Sequence, residues 1–270
     1  MAKKIFKLCV YVFAIIGFIL VAGWFAVRFG LTNTPGIIDR QSENFLKTGN
    51  DEVSDESAAW SRGEEWQIFK AAAIKDAPDI TRAAFIARIS PRLIFANLAV
   101  EQLRLFHTNR QIFKEVFAPL KILGNQSQFS WGVMGLKQET AVAIEKHLKD
   151  PSSVYYLGRT YERLLDFKTN NKNEERFERI IDEESRYYSY LYSALYCRQI
   201  MEQWMRAGFA ISNRPEIVST LFNIGFEHST PKQDPAVGGA AIEISKQEYS
   251  FGGLAGEIFY SAELRDVFPE

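Results

Sequence analysis

At residues 130–141 the chain reads Ser-Trp-Gly-Val-Met-Gly-Leu-Lys-Gln-Glu-Thr-Ala. Two glycines close together, Gly132 and Gly135, are typical of a tight turn. The residues that follow favour a helix that Gln138 can open and that continues through Glu145. This stretch therefore predicts a glycine-rich turn that leads directly into a helix.

The segments on both sides of this turn have apolar residues at helical spacing. Upstream, residues 81–89 and 91–106 carry the pattern, and downstream residues 174–206 form one long helical candidate. A later helix is expected over 213–225, with Pro215 suited to its first turn. Strand-like alternation is scarce and no internal repeat is visible, so the sequence predicts a mostly α fold.

The composition fits one medium-sized domain. The chain has 270 residues, of which 47% are apolar and 24% charged, which is enough to build a single core. The net charge of -1 gives no general attraction to nucleic acid, and no nucleic-acid-binding motif is visible, so we expect no nucleic acid partner. No histidine is paired with another ligand at i, i+4 spacing, and no phosphate-binding or dinucleotide motif occurs. We therefore expect neither a metal site nor a cofactor.

The N-terminus predicts a membrane anchor. Residues 8–27 carry no charged side chain, and a run of this length can cross a bilayer core of about 30 Å. Three lysines precede the run and only Arg28 directly follows it, so the positive-inside rule places the N-terminus in the cytoplasm. A cleaved signal peptide is the alternative, although its apolar region is usually only about 7 to 15 residues long.

Three parts of the chain follow from this pattern. We expect a membrane anchor over residues 1–30, a polar linker rich in turn formers over 31–57, and one helical domain over 58–270. The helical domain would lie outside the cytoplasm. Cys197 is the one cysteine in that part, so it can form no intramolecular disulfide there and is expected to be a buried helical residue.

One glutamate on the predicted helix 91–106 is a candidate acid. Ala96 and Val100 help define the inward face of this helix, and Glu101 follows that face by one residue. A carboxyl group partly buried among apolar side chains keeps its proton more readily than one in water, as a glycosidase acid must. Arg104, one turn further, argues the other way, because a nearby cation favours the ionised form. A solvated surface glutamate is the plain alternative.

Three segments together resemble the signature of the lysozyme-like lytic transglycosylases. They are Ala99-Val100-Glu101, the glycine-rich turn at 130–141, and Phe222-Asn223-Ile224-Gly225 at the end of a late helix. The family pattern around the turn is Ser-x-Gly-x-Met-Gln-x-x-Pro-x-Thr-Ala. The residues that match it in register are Ser130, Gly132, Met134, Thr140 and Ala141. The resemblance covers about residues 85–230, with 109–128 as an insertion relative to the commonest members.

The resemblance implies a fold, a substrate and a site. The fold would be a lysozyme-like helical domain behind a single N-terminal transmembrane helix, located in the periplasm and tethered to the inner membrane through residues 8–27. The substrate would be the glycan strands of peptidoglycan, and Glu101 would be the general acid and base. An envelope protein complex is a further partner to consider. The residues implied in substrate binding are Ser130, Gly132, Met134, Gly135, Phe222 and Asn223.

Three positions depart from the family pattern. Gly135 stands where the family usually has a glutamine that lines the sugar groove, and Gln138 stands where it usually has a proline. Phe222 replaces a tyrosine whose hydroxyl is thought to lie near the acid. These departures support a second hypothesis, a catalytically reduced module that binds glycan strands or scaffolds an envelope complex. A third hypothesis is an unrelated helical protein tethered to a membrane.

The acids near the proposed site bear on the reaction type. Inverting and retaining glycosidases both need a second carboxylate, yet between Gln102 and Gln138 the only acid is Glu115. A single acid suits a transglycosylase, in which the C6 hydroxyl of muramic acid closes a 1,6-anhydro ring. Hydrolysis stays open as an alternative, because Glu145 or Asp166 could fold close to Glu101.

Two aromatic segments complete the sequence picture. The tyrosine-rich stretch 187–196 has helical spacing and is expected to form core and groove wall, with a sugar-stacking platform as the alternative. The stretch 249–270 is too apolar for a disordered extension, so it is expected to fold back over the domain and to line one side of the groove.

Overall fold

A computed structural model describes residues 58–107 and 130–270 of the chain. Within these residues the fold is mostly helical, as the sequence predicts, with seven α-helices and two short antiparallel hairpins. The helices are α1 Glu64–Ala87, α2 Pro91–His107, α3 Gln138–Lys149, α4 Lys172–Ile181, α5 Tyr187–Arg206, α6 Pro215–Ile224 and α7 Phe251–Tyr260. The strands are β1 Ser130–Trp131 paired with β2 Leu136–Lys137, and β3 Ala241–Ile244 paired with β4 Gln247–Ser250.

Part of the predicted organisation lies outside the described residues. This applies to the membrane anchor at 8–27, to the linker at 31–57, and to the whole insertion at 109–128 with its acid Glu115. None of the helices that the structure does describe combines the length and the apolar character needed to span a bilayer.

Helices α2 and α5 form the centre of the domain. Residues 92–101 of α2 are all buried, including the polar Asn97 and Glu101, and α5 is buried along most of its length. Helix α1 packs against both of them. Its aromatic rings meet Phe95 of α2, with ring centroids 6.3 Å away for Trp66 and 5.8 Å away for Phe69.

The C-terminal helix α7 belongs to the core and lies against α6 and α2. At Gly252 a Cβ would come within 2.0 Å of the Thr220 hydroxyl oxygen, so the absence of a side chain lets α7 approach α6 closely. The end of α7 is held by Arg92 of α2. Its buried guanidinium donates hydrogen bonds to the carbonyl oxygens of residues 258, 259, 261 and 263. The C-terminal stretch therefore folds back over the domain, as predicted.

The long helix predicted over 174–206 is in fact two helices. Helix α4 ends at Ile181 and α5 begins at Tyr187. Between them the Asp182 carboxylate accepts hydrogen bonds from the backbone N–H groups of Glu184 and Ser185, at 2.9 and 3.1 Å. An aspartate that bonds to the backbone two and three residues ahead offers an alternative to the helical ladder. This local turn explains the break, which periodicity alone does not reveal.

Candidate active site

The glycine-rich stretch forms the predicted turn. Strands β1 and β2 pair as a short hairpin, and the N–H of Gly135 donates to the carbonyl oxygen of Gly132 at 3.3 Å. Both glycines have positive φ angles, +62° at Gly132 and +61° at Gly135, a region that is unfavourable for residues with a Cβ. Helix α3 follows at Gln138. The sequence therefore specifies this turn through its two glycines.

One side of the turn packs against α4 and α5. A Cβ placed on Gly132 would lie 2.3 Å from the carbonyl oxygen of Ile180 and 2.8 Å from Oγ of Ser189. The Met134 side chain is buried in the core. The turn is thus fixed to the protein interior from beneath, and its position does not depend on the turn backbone alone.

The other side of the turn meets Glu101. This glutamate lies on α2 and is 2% exposed, and a Cβ placed on Gly135 would be only 1.8 Å from its Oε1 atom. The next residue, Gln102, donates a hydrogen bond of 2.5 Å from Nε2 to the carbonyl oxygen of Val133. Two consecutive residues of α2 therefore contact the turn, and the first two parts of the three-part signature lie together.

The carboxylate of Glu101 is paired with Arg104. Nε of Arg104 donates to Oε2 at 3.1 Å, and Nη2 donates to Oε1 at 2.5 Å. This two-point contact is the strong geometry for a guanidinium and a carboxylate. The Glu101 side chain is 3% exposed and that of Arg104 is 15% exposed, so the cation is the more accessible partner. In this conformation each carboxylate oxygen accepts a hydrogen bond from Arg104.

The other residues implied in substrate binding have structural contacts. Phe222 is buried, with its ring 5.3 Å from that of Tyr196 and 6.2 Å from that of Phe251. Oδ1 of Asn223 accepts a hydrogen bond of 2.8 Å from the N–H of Ala240 and so holds the loop before β3. Neither residue hydrogen-bonds to Glu101 within the described part of the chain. Among the implied binding residues, it is Gly135 that the structure places against the acid.

The tyrosine-rich stretch is mainly core. Its buried members are Tyr187, Tyr190, Tyr192 and Tyr196. The Tyr196 ring also packs on Phe226, with centroids 4.4 Å apart. Burial raises the pKa of the Tyr196 hydroxyl, so this group stays protonated. Cys197, beside it in sequence, is likewise buried, as expected.

Glu145, the first of the two distant carboxylates considered as a base, is a buried structural group. Arg176 donates to both of its oxygens at 2.6 Å, and the Tyr192 hydroxyl donates to Oε1 at 2.6 Å. Burial raises the pKa of Tyr192 and the Glu145 carboxylate adds to the shift, so the hydroxyl remains a donor. The geometry of Glu145 therefore explains the attachment of α3 to α4 and α5.

Asp166, the second distant carboxylate, is a surface group. It accepts from Lys149 at 2.5 Å and from Arg163 at 3.2 Å. The hydrogen bond from Lys149, followed by that from Arg163, holds the pKa of Asp166 below its usual value. An exposed aspartate with two cationic neighbours is a weak base, which does not favour a role in activating water.

A cavity lies beside the contact between α2 and the turn. It has a volume of about 230 Å³ and lies between α1, α2 and α5. Its lining includes Gln102, Val133, Asp76 and Tyr190. The Tyr190 hydroxyl donates to Asp76 at 2.6 Å. Most of its lining comes from α1 and α2 and is apolar.

Gln102 and Ser189 also contact or underlie the turn, and no pattern in the sequence singles them out. Gln102 follows the candidate acid directly, and its bond to Val133 joins two segments that are distant in sequence. Ser189 carries a buried hydroxyl for which the described residues offer no hydrogen-bond partner. Neither residue belongs to the three-part signature, and the acceptor of the Gln102 bond is a backbone carbonyl group, which leaves no mark in the sequence.

No group of three or more His, Cys, Asp or Glu side chains comes together as a metal site within residues 58–107 and 130–270. Comparison of the chain with protein families, with curated proteins and with solved structures finds no match.

Proposed function

We propose that this protein is a membrane-anchored peptidoglycan lytic transglycosylase with a lysozyme-like helical domain and Glu101 as its single acid and base. The observation that supports this proposal most is the contact of Glu101 with Gly135. Two segments that the motif connects, and that are far apart in sequence, meet at a buried carboxyl group on the central helix. The proposal includes residues 8–27 as an inner-membrane anchor, with the N-terminus in the cytoplasm and the helical domain in the periplasm.

The mechanism requires one carboxyl group that acts twice. In its protonated form Glu101 donates its proton to the oxygen that links MurNAc to GlcNAc, and the bond from C1 of MurNAc to that oxygen breaks. The resulting carboxylate then takes the proton of the C6 hydroxyl while O6 bonds to C1. A 1,6-anhydro ring forms, the proton is back on Glu101, and no water is consumed. The substrate's own acetamido group stabilises the cationic intermediate.

This mechanism agrees with the positions of the other carboxylates. A hydrolase would need a second acidic group to activate water or to form a covalent intermediate. Glu145 already has three hydrogen bonds in the interior, and Asp166 is a paired surface residue. An internal hydroxyl nucleophile removes the need for either group.

A second function is favoured by a different observation. Arg104 occupies both oxygens of Glu101, Phe222 has no hydroxyl, and the Asn223 side chain is engaged with Ala240. These features fit a module that has kept the fold but binds peptidoglycan without cleaving it, as part of an envelope complex. The retained glutamate favours the enzyme, because binding alone does not call for a buried carboxyl group at this place.

The product of digestion distinguishes these functions. The full-length protein in detergent, its Glu101→Gln variant and a Glu248→Gln control, altered at an exposed site on β4, are incubated with purified peptidoglycan. Mass spectrometry of the released muropeptides should show anhydro-muramic ends from the unmodified protein and the control, and none from Glu101→Gln. Reducing ends would instead identify a hydrolase. Binding to sacculi without any release would support the non-catalytic module.

A further inference from the structure

We infer that the outer face of α1 is a membrane-surface site, which lies in the headgroup region of a bilayer that contains anionic lipids. The partner of this face is therefore a lipid surface and not a second protein. The inference rests on the proposed function in one respect, the anchor at residues 8–27, which would keep the domain close to a membrane. It adds a peripheral contact made by the helical domain itself.

The outer face of α1 carries a row of exposed apolar residues. The row follows the helical repeat, in which residues three and four positions apart lie side by side. It consists of Ala71, Ile74, Pro78 and Phe85, called the α1 stripe below. All four are exposed within the described part of the chain, with Ile74 49% exposed and Phe85 82% exposed. Neighbouring apolar residues exposed on a folded protein indicate an interaction surface.

The α1 stripe is separate from the face of α1 that forms the core. Ala73, Ile80 and Ala84 are buried, and through this face the helix packs against α2 and α5. The contacts that hold α1 in the domain are therefore made without Ile74 and Phe85. A second apolar face on the same helix is suited to a partner outside the domain.

Basic side chains lie on both sides of the α1 stripe. They are Lys70, Lys75, Arg82 and Arg88. Lys75 and Arg88 are exposed, whereas Lys70 pairs with Glu263 at 3.1 Å. Asp76 points away from the stripe, since its carboxylate accepts a hydrogen bond of 2.6 Å from Tyr190 on α5. An apolar row between basic side chains is the pattern of a helix that lies in a membrane interface.

These charges favour a lipid surface over a protein as the partner. Lysine is depleted in protein–protein interfaces. At a bilayer, lysine and arginine place their aliphatic stems along the apolar region and their charged ends among anionic headgroups. The outer face of α1 offers both parts of this contact, with Phe85 and Ile74 for the acyl region and Lys75 and Arg88 for the headgroups.

The order of the chain agrees with this partner. Helix α1, which begins at Glu64, is the first α-helix of the described residues, and it follows the predicted anchor at 8–27 in sequence. A tether raises the effective concentration of the domain at the membrane, so a weak interfacial contact is sufficient to hold α1 there.

Cross-linking to lipid tests the contact directly. The full-length protein is reconstituted into vesicles of phosphatidylcholine and phosphatidylglycerol, with a trace of phosphatidylglycerol that carries a photoactivatable acyl chain. Mass spectrometry then locates the peptides that are bonded to lipid. We expect cross-links on the peptides that contain Ile74 and Phe85. Peptides with Val154 and Met205, which are apolar residues exposed elsewhere at 52% and 51%, should carry none.

Two double variants separate the apolar from the charged part of the contact. Ile74→Ser with Phe85→Ser should lower the cross-linking of α1 by at least about tenfold, because the side chains that enter the acyl region are lost. Lys75→Gln with Arg88→Gln should lower it by about tenfold in the same vesicles, and omission of phosphatidylglycerol should do the same to the unmodified protein.

A matched control alters exposed apolar residues at another place. Val142→Ser with Val154→Ser changes α3 and the segment after it, and this variant should cross-link at α1 like the unmodified protein. Thermal unfolding of each variant shows whether the domain is intact. If the variant at 74 and 85 does not fold, the variant at 75 and 88 decides, since it leaves the α1 stripe in place.

Three results would overturn the inference. The first is an absence of lipid cross-links on α1 in the unmodified protein. The second is unchanged cross-linking in both double variants when they are folded. The third is a set of cross-links that join the α1 stripes of two protein copies without any to lipid, which would assign the stripe to self-association.

The proposed function has separate readouts in the same experiment. Cross-links within residues 8–27 report on the anchor, and the release of anhydro-muropeptides reports on the enzyme. If both are absent, the proposed function fails, while lipid cross-links on α1 and flotation of the protein with the vesicles would still support the membrane-surface site. If both are present and α1 carries no lipid, only the inference about α1 fails.

Discussion

The side-chain amide of Gln102 donates a 2.5 Å hydrogen bond to the carbonyl oxygen of Val133. Because Gln102 is the neighbour of Glu101 on α2, this bond sets the position of the glycine-rich turn relative to the candidate acid. The contact between Glu101 and Gly135 therefore depends on a residue that takes no part in the proposed chemistry.

Replacing Gln102 by leucine should loosen the turn. The carbonyl oxygen of Val133 would lose its side-chain donor, which should cost about 1 kcal/mol of stability in urea unfolding. Hydrogen exchange at the Gly135 N–H should become faster. Gln199→Leu is the matched control, since Gln199 donates to the carbonyl oxygen of Ile144 at 3.1 Å in the core. Gln199→Leu should lower stability without changing hydrogen exchange at the Gly135 N–H. An equal increase of this exchange in both variants would contradict a specific role of Gln102 in holding the turn.

Replacing Gly135 by alanine should force Glu101 away from the turn. The new Cβ would occupy the space of Oε1, and the positive φ of +61° adds strain of about 1–2 kcal/mol. Gly208→Ala serves as the control, because Gly208 has a φ of +87° and open space where a Cβ would stand. A crystal structure of Gly135→Ala should show the Glu101–Arg104 pair broken or rebuilt. An unchanged pair at the same position would contradict the close contact described above.

Replacing Arg92 by methionine should strongly destabilise the domain. The change removes every hydrogen bond that the guanidinium donates to the carbonyl oxygens at 258, 259, 261 and 263. Hydrogen bonds from a charged donor contribute about 1.5–3 kcal/mol each, so we expect a loss of at least about 3 kcal/mol in urea unfolding. Arg92→Lys keeps the charge and some donors, and it should lose less. Equal losses in the two variants would show that hydrogen bonding is not the reason.

Glu175 should make stability depend on pH in the acid range. Its carboxylate accepts hydrogen bonds from the backbone of Lys168 and Thr169. These bonds, with that from Lys168 the largest cause, lower the pKa of Glu175 from 4.5 to about 2. Since the folded-state pKa is depressed, the stabilisation is present above pH 4.5 and is lost as the pH falls through about 2.

The measurement is a series of thermal unfolding curves from pH 7 to pH 2. Glu175→Gln should have a lower Tm than the unmodified protein at pH 7, and the difference should shrink between about pH 4.5 and pH 2. Glu178→Gln, altered at an exposed position on the same helix, should follow the unmodified protein throughout. A Tm difference for Glu175→Gln that is independent of pH would refute this account.

The sequence predicts those features whose causes are local. Helix α6 begins at Pro215, which fits the first turn of a helix, and it ends before Gly225, which has a φ of +102°. Gly132 and Gly135 likewise determine the turn at 130–137, because both have a positive φ that a glycine adopts easily. The break between α4 and α5 also has a local cause, the hydrogen bond from the backbone N–H of Glu184 to Asp182. The sequence does not reveal it, because the spacing of apolar residues stays helical across the break.

Features that depend on distant partners could not be predicted in this way. Arg92 reads as an ordinary charged residue near the start of a helix, because its acceptors are backbone carbonyl groups that leave no mark in the sequence. Gln102 is hidden for the same reason. The motif did connect Glu101 with the turn, but it does not indicate that Gly135 is the residue of the turn that meets the acid.

The attachment of Arg92 to the end of α7 has a consequence for the order of folding. Helix α2 carries Glu101, but its first turn obtains its hydrogen-bond acceptors from residues 258–263, which are synthesised much later. During translation the Arg92 guanidinium therefore has no access to these carbonyl oxygens until α7 and the residues after it have been synthesised. The first turn of the helix that carries Glu101 therefore stays incompletely packed in a nascent chain until residues 258–263 have been added.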